Sequence, residues 1–276
     1  MSADLDKLVA LIREAASEKI LPRFRALSSD DVEEKSKGDF VTIADREAEL
    51  FLTPRLIDLV PGSIVIGEEA TAASPDLLEK SAGMGATWYV DPIDGTSLFV
   101  EGDPGFATMF AFADRGEVLQ SAIFFPVLNE LFIAEQGAGT TLIDKHGSTS
   151  LAARTAPINL SAAKGAFYTK HYPDGWETRL ELLKSNVASS HKEMCAAREY
   201  TDIARGEKDL ATYHRMLPWD HAPGSLILRE TGGVARNVET EADYHPRVLQ
   251  GPHVLAANEE LWLAAQQIMR SGQHLT

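Results

Sequence analysis

Two short β-forming runs end in acids: 63-SIVIG-67 leads straight into Glu68 and Glu69, and 87-TWYV-90 into Asp91, Pro92, Ile93, Asp94 and Gly95. Aromatic and β-branched runs of this length read as strands, so the carboxylates stand where the backbone should turn out of a sheet. Like charges delivered to neighbouring strand ends repel unless they are solvated or share cations. A fold for this chain must therefore provide a sheet end that collects acids.

The rest of the chain supplies enough material for such a sheet. Its 276 residues, 44% of them apolar, suffice for one large layered domain or two small ones. Leu5, Leu8, Val9 and Ile12 share a helical face behind Asp4, predicting a first helix to about Leu27. A charged loop, 30-DDVEEKSKGDF-40, precedes a second helix starting at Thr42 or Ile43 with Asp45 in its first turn. The stretch from Phe106 to Phe125 reads as a hairpin turning at Asp114-Arg115-Gly116, and 129-NELFIAEQGAG-139 as a further strand. After about Arg154 strands at 165–169, 209–213, 233–235 and 253–257 alternate with helices near 175–186, 195–206, 219–231 and 258–271. That rhythm is the mark of a three-layer α/β arrangement. The short boundary at 146–154 predicts two packed subdomains, 1–150 and 151–276, within one fold.

Charge and composition narrow the partners. With 41 acidic and 26 basic residues the formal charge is −15, which disfavours nucleic acid or an anionic membrane as an electrostatic partner. No apolar run approaches the roughly 20 residues of a membrane span. The acidic, amphipathic N-terminus lacks the order of a signal peptide. A cytoplasmic protein is expected, and the single cysteine, Cys195, fits a reducing compartment as a small buried side chain.

Taken alone, 91-DPIDG-95 is a proline turn with solvated acids. Two other readings fail on spacing. An EF-hand loop needs an oxygen ligand where Ile93 stands, and the haloacid-dehalogenase phosphatases set their aspartates two apart, whereas these are three apart. With Thr96 included, the stretch instead resembles the Asp-Pro-Ile/Leu-Asp-Gly-Thr motif of the inositol monophosphatase family, magnesium-dependent and lithium-sensitive phosphatases. Three more segments match that family in order. They are 38-GDFVTIAD-45, 67-GEE-69 and 219-WDHAPGSLILRETGGV-234, the last resembling a Trp-Asp-x-Ala-x-Gly signature.

The resemblance implies an α/β (α+β layered) fold with alternating αβαβα layers, as in the inositol monophosphatase and fructose-1,6-bisphosphatase-like fold. It also implies a Mg²⁺-dependent phosphomonoesterase using two to three ions. Glu68 and Asp91, with the carbonyl of Ile93, would serve the first ion, Asp91, Asp94 and Asp220 the second, and Glu68 with water a third. Carboxylate and carbonyl oxygens are what hard Mg²⁺ prefers, and two ions about 3.5–4 Å apart suit an in-line displacement. Thr96 beside Asp45 would activate the attacking water. Gly95 and Thr96 would meet the phosphate at a short helix start, and Ala196 and Tyr213 would contact the rest of the substrate. A homodimer is implied as well.

Other residues have plainer readings. Glu69 reads as a neighbour, Trp219 as a core anchor, Lys35 and Lys37 as a solvated face, and His214 and His221 as surface or supporting groups. Departures from the family bear on substrate. Ser97-Leu98-Phe99 and Glu101 replace the usual continuation after Thr96, and Tyr213 stands where inositol-specific relatives place a hydroxyl-gripping glutamate. Myo-inositol 1-phosphate is therefore in doubt, and a less hydroxylated or ring-stacking ester is expected. Histidinol phosphate, fructose 1,6-bisphosphate and a 3′-phosphonucleotide are alternatives, as is a non-catalytic protein-binding role.

Overall fold

The computed structural model describes residues 2–81, 85–153 and 156–273. Strands β1 (Val32–Ser36) and β2 (Asp39–Thr42) form a hairpin, followed by β3 (Ile64–Gly67), β4 (Thr87–Asp94), β5 (Ala107–Asp114), β6 (Glu117–Phe125), β7 (Glu130–Glu135), β8 (Gly139–Asp144) and β9 (Gly147–Leu151). The second half adds β10 (Lys164–Phe167), β11 (Ser189–Ser190), β12 (Leu210–Arg215), β13 (Val234–Asn237) and β14 (Gln250–Ala256). The α-helices are α1 (Leu5–Ala15), α2 (Ile43–Leu59), α3 (Glu68–Ala73), α4 (Asp76–Ser81), α5 (Thr96–Glu101), α6 (Glu177–Ser185), α7 (Ala196–Arg205), α8 (Pro218–Glu230) and α9 (Glu259–Ser271).

One sheet has the order β3-β4-β5-β6-β7-β8-β9, with β3 and β4 parallel and the remaining neighbours antiparallel. The other has the order β11-β10-β12-β14-β13, parallel about β10 and antiparallel about β14. Strand alternation sorts β4 by face. Trp88 and Val90 pack with Leu8, Ile12, Leu52 and Leu56 of α1 and α2, while Tyr89 packs with Trp219, Ala222 and Ile227 of α8 and Ala197 of α7. The other side of α7 and α8, through Tyr200, Ile203 and Leu228, joins the core of the second sheet, which Leu183 of α6 and Trp262 of α9 close from outside. The expected αβαβα layering is what forms, with α7 and α8 as its central layer.

Several local expectations are corrected. The 30–40 loop is the β1–β2 hairpin, turning at Gly38 with φ +76°. The first helix is α-helical only to Ala15, widens over Ala16–Ile20, tightens over Leu21–Arg23 around Pro22, and stops short of Leu27. β4 runs on through the Asp-Pro-Ile-Asp stretch because Asp94 still pairs with Ala107 across a register shift. Between 139 and 151 the chain adds β8 and β9 to the first sheet, so the sheet membership changes between Leu151 and Lys164.

Candidate metal-phosphate site

Asp45 is the third residue of α2 and closes a capping box: one carboxylate oxygen accepts from Thr42 N at 2.8 Å and from Thr42 Oγ1 at 2.5 Å. Its other oxygen lies 3.2 Å from Thr96 Oγ1, which is also 3.0 Å from the Ile93 carbonyl. The threonine hydroxyl thus has two acceptors for one proton. Burial pushes Asp45 up to about 7, against the pull of its Thr42 hydrogen bonds.

Glu68 opens α3, whose N-terminus is capped from a distance. The Glu49 carboxylate on α2 accepts from Glu69 N and Ala70 N, both at 2.8 Å. Asp45 and Glu49 sit four apart on the buried side of α2, and only Asp45 was legible as a site residue. The signal for Glu49 was a second acid, one turn after Asp45, on a face whose other buried residues are apolar. Lys35, expected on a solvated face, is instead half-buried and donates to Glu68 Oε1 at 3.1 Å and Glu69 Oε1 at 3.0 Å. Lys37 is exposed.

Asp91 accepts from Ile93 N at 3.0 Å. Asp94 Oδ2 accepts from Ala197 N at 2.5 Å and Cys195 Sγ at 3.1 Å, so the first turn of α7 holds it. Gly95 follows with φ +84°, a conformation a side chain disfavours, and Thr96 starts α5. Asp220 enters from the first turn of α8. Glu68, Asp91, Asp94, Thr96 and Asp220 line one cavity of about 180 Å³, together with Ile93, Gly95, Asp39 and Arg215. Burial raises all four carboxylates above their ordinary range; repulsion among them adds to it at Glu68, Asp91 and Asp220, while hydrogen bonds from Ala197 N, Cys195, Ala196 N and Gly95 N pull Asp94 back. Asp220 is pushed up to about 7. Among the described residues no three His, Cys, Asp or Glu side chains converge as a preformed metal cage. Glu68 is turned to Lys35 and Asp94 to α7.

A second cavity of about 180 Å³ adjoins the first and shares Asp94, Asp220 and Arg215 with it. Ala196, at the start of α7, and Tyr213 both line it. The Tyr213 ring stacks on Tyr168 at 4.6 Å and meets the edge of His221 at 4.7 Å. One face of the ring is therefore taken up by Tyr168, where the sequence alone would leave it for a substrate ring. His221 is buried and bonded to Tyr200 Oη at 3.1 Å and the Arg215 carbonyl at 3.0 Å, so it is no surface group. Trp219 is buried in the central layer.

The inositol monophosphatase family model matches residues 2–273. This chain belongs to the inositol monophosphatase family. Its relatives include an inositol-1-monophosphatase of Rhizobium meliloti, 29% identical over 98% of this chain and 97% of that one. A second, from Bacillus subtilis, is 30% identical over 83% of both, and the Nus factor SuhB of Vibrio cholerae is 28% identical over 82% of this chain and 80% of its own. Among solved structures, a Thermotoga maritima IMPase superposes with a TM-score of 0.78 at 23% identity, covering 96% of each chain. An inositol monophosphate-bound SaIMPase-II gives 0.76 at 23%, covering 96% of this chain and 92% of that one. At these identities the structures speak for the fold of the family.

Proposed function

We propose that this chain is a Mg²⁺-dependent phosphomonoesterase that hydrolyses a small phosphorylated metabolite with an activated water. The observation that carries the reading is that Glu68 of α3, Asp91 and Asp94 of β4 and Asp220 of α8 line one cavity beside the Thr96–Asp45 pair. The donor set fits magnesium: it is all oxygen, it is anionic, and its members raise one another's pKa values in a way that a cation relieves. Glu68, Asp91 and the Ile93 carbonyl would hold one ion, Asp91, Asp94 and Asp220 a second, and Glu68 a third with water.

Magnesium, when bound, supplies positive charge for the phosphate and makes water at the site more acidic. The chain's own part is proton handling and placement. Thr96 Oγ1 takes a proton from the attacking water while passing its own to Asp45, whose pKa of about 7 suits a base near neutrality. Water oxygen then bonds to phosphorus as the ester oxygen leaves with a solvent proton. Gly95 and Thr96 meet the phosphate, and Ala196 and Tyr213 border the leaving group. On this reading residues 1–150 supply most ligands and 151–276 supply Asp220 and substrate contacts. We place the enzyme in the cytoplasm as a homodimer; among the described residues no helix is long and apolar enough to cross a membrane.

The test is phosphate release from a panel of phosphorylated metabolites with Mg²⁺ and with chelator. Release should require Mg²⁺ and be lost in Asp94→Asn, which keeps the shape of the side chain but removes its charge. Full activity of that variant in metal-free buffer overturns the reading. Relatives named Nus factor SuhB favour a second reading, a protein-binding role alongside or instead of catalysis. A specific protein complex that Asp94→Asn leaves intact would support it.

A further inference from the structure

On the phosphomonoesterase reading the bound ester crosses a seam. Its phosphate belongs among the carboxylates beside Gly95, and its alcohol belongs in the adjoining cavity bordered by Ala196 and Tyr213. The ester oxygen joining the two therefore lies where the cavities meet. Four side chains line both cavities: Asp94, Met194, Arg215 and Asp220. As the bond from phosphorus to this oxygen breaks, the oxygen gathers negative charge. Ionised Asp94 and Asp220 only accept hydrogen bonds and repel that charge, and Met194 offers a thioether. Arg215 alone of the four brings donors and a permanent positive charge.

The backbone of this arginine is fixed while its side chain is free. Arg215 ends β12 at a shift of register against β14: Tyr213 faces His253 and Arg215 faces Gln250, so two steps on one strand match three on the other. Such irregularities bend a strand and re-aim its side chains. The Arg215 carbonyl accepts from Nε2 of buried His221 at 3.0 Å, and the next amide, Met216 N, donates to the Leu249 carbonyl at 2.8 Å. Arg215 is exposed, and its guanidinium forms no ion pair or hydrogen bond among the described residues. Its charge is felt on both sides of the seam. It opposes the rise that burial and Asp94 impose on Asp220, and it adds to the fall that burial imposes on His171 of the second cavity.

We infer that Arg215 is a further catalytic residue, whose guanidinium donates a hydrogen bond to the ester oxygen and stabilises the charge it gains as the alcohol departs. This deepens the phosphomonoesterase reading and rests on it. The oxygen of water bonds to phosphorus, the electron pair of the broken bond stays on the ester oxygen, and solvent supplies the proton that completes the alcohol. Arg215 keeps its own protons, since a guanidinium does not deprotonate in a protein. A donor placed for an oxygen that is gaining charge binds the transition state more strongly than the intact ester, so its effect falls on the chemical step.

The test varies the leaving group and nothing near phosphorus. Its probes are 4-nitrophenyl, phenyl and 4-methoxyphenyl phosphate, with the best alkyl ester of the metabolite panel as the poorest leaving group. At saturating Mg²⁺, Arg215→Gln should lower kcat for the alkyl and 4-methoxyphenyl esters by about a hundredfold, and for the 4-nitrophenyl ester by less than about tenfold, because 4-nitrophenolate carries its own charge well. Arg215→Lys keeps the charge and should recover part of the loss on the poor leaving groups. The thermal midpoint should not move, since the side chain is exposed. A Mg²⁺ titration of each variant separates any effect on metal affinity. Equal losses across the series, an alkyl ester whose kcat survives Arg215→Gln, or a loss that saturating Mg²⁺ abolishes would each overturn the inference and leave the phosphatase reading standing. If neither the aryl series nor the metabolite panel releases phosphate with Mg²⁺, the phosphatase reading falls and the inference with it.

Discussion

Gly67→Ala should damage the protein although the backbone there suits alanine. Gly67 has φ −97° and ψ 157°, ordinary extended values. A Cβ at this position would stand 2.2 Å from Glu49 Cδ and 2.4 Å from each of its carboxylate oxygens. Glu49 must then leave the N-terminus of α3 and give up its bonds to Glu69 N and Ala70 N. Hydrogen bonds to charged groups contribute about 1.5–3 kcal/mol each, and a lost N-terminal cap about 1–2 kcal/mol. Ala70 is exposed and Glu69 half-buried, so water recovers part of the loss. The expected cost is roughly 2–3 kcal/mol, which for a chain of this size is a fall in Tm of roughly 5–10 °C. Because Glu68 is the first residue of α3, the Mg²⁺ concentration for half-maximal activity should rise as well. Urea and thermal unfolding measure the first effect and a Mg²⁺ titration the second. Glu49→Ala should match Gly67→Ala, and the double variant should be no worse than Glu49→Ala by more than about 0.5 kcal/mol. Additive losses, or a Gly67→Ala variant within about 0.5 kcal/mol of wild type, would refute the clash with Glu49.

Three further outcomes are expected. Thr96→Ala should lower kcat much more than it raises KM if, as proposed, the hydroxyl acts on water; an unchanged kcat with a raised KM would move Thr96 to substrate binding. Lys208→Met should cost about 3–5 kcal/mol in urea unfolding, since it leaves the fully buried Glu199 without its cation; a loss under about 1 kcal/mol would show that Tyr168 and Glu193 N suffice to hold that carboxylate. His253 is buried against the Gly251 carbonyl, and burial lowers its pKa from 6.5 to about 4. With a folded pKa below the unfolded one, its contribution to stability is fully present above pH 6.5 and is lost as pH falls toward 4. That is about 3 kcal/mol at most. The carboxylates lining the cavity beside Thr96 act in the opposite sense, so the measurement is the difference between wild type and His253→Gln across that range, and a difference independent of pH would contradict it.

Elements with a clear period were legible from the residues. Helices α2, α6, α7, α8 and α9 and strands β3, β5, β6, β10, β12 and β14 lie within a few residues of where alternation or helical spacing put them. The β1–β2 hairpin was missed because its strand Val-Glu-Glu-Lys-Ser is nearly all polar and largely exposed, so no face of it alternates toward a core. β8 and β9 were hidden for the same reason: Thr-Thr-Leu-Ile-Asp and Ser-Thr-Ser-Leu read as a polar linker until paired edge to edge. The carboxylates of the cavity were legible as motif. Their packing partners were less so: Glu49 and Tyr168 were not singled out, and the contacts of Lys35 with Glu68 and Glu69 come from the β1–β2 hairpin, which only tertiary packing brings to α3.

The strands that looked like a linker have a consequence for the site. Asp220 lies at one end of α8, a helix with the first sheet on one side and the second sheet's core on the other. Its far end is tied to the β7–β8 region: Glu230 accepts from Gly137 N at 3.0 Å and Gly139 N at 3.1 Å, and Thr140 Oγ1 donates to the Ile227 carbonyl at 3.1 Å. At the near end Trp219 is seated against the face of the sheet that carries Tyr89, the residue alternating with Asp91 toward the central layer. Asp94, at the end of the same strand, is held by α7 through Ala197 N. Two helices of the second half thus fix their positions on the sheet of the first half, one through each of two carboxylates. The spacing between Asp91, Asp94 and Asp220 is therefore a property of how the central helix layer packs on the first sheet, and no single loop sets it.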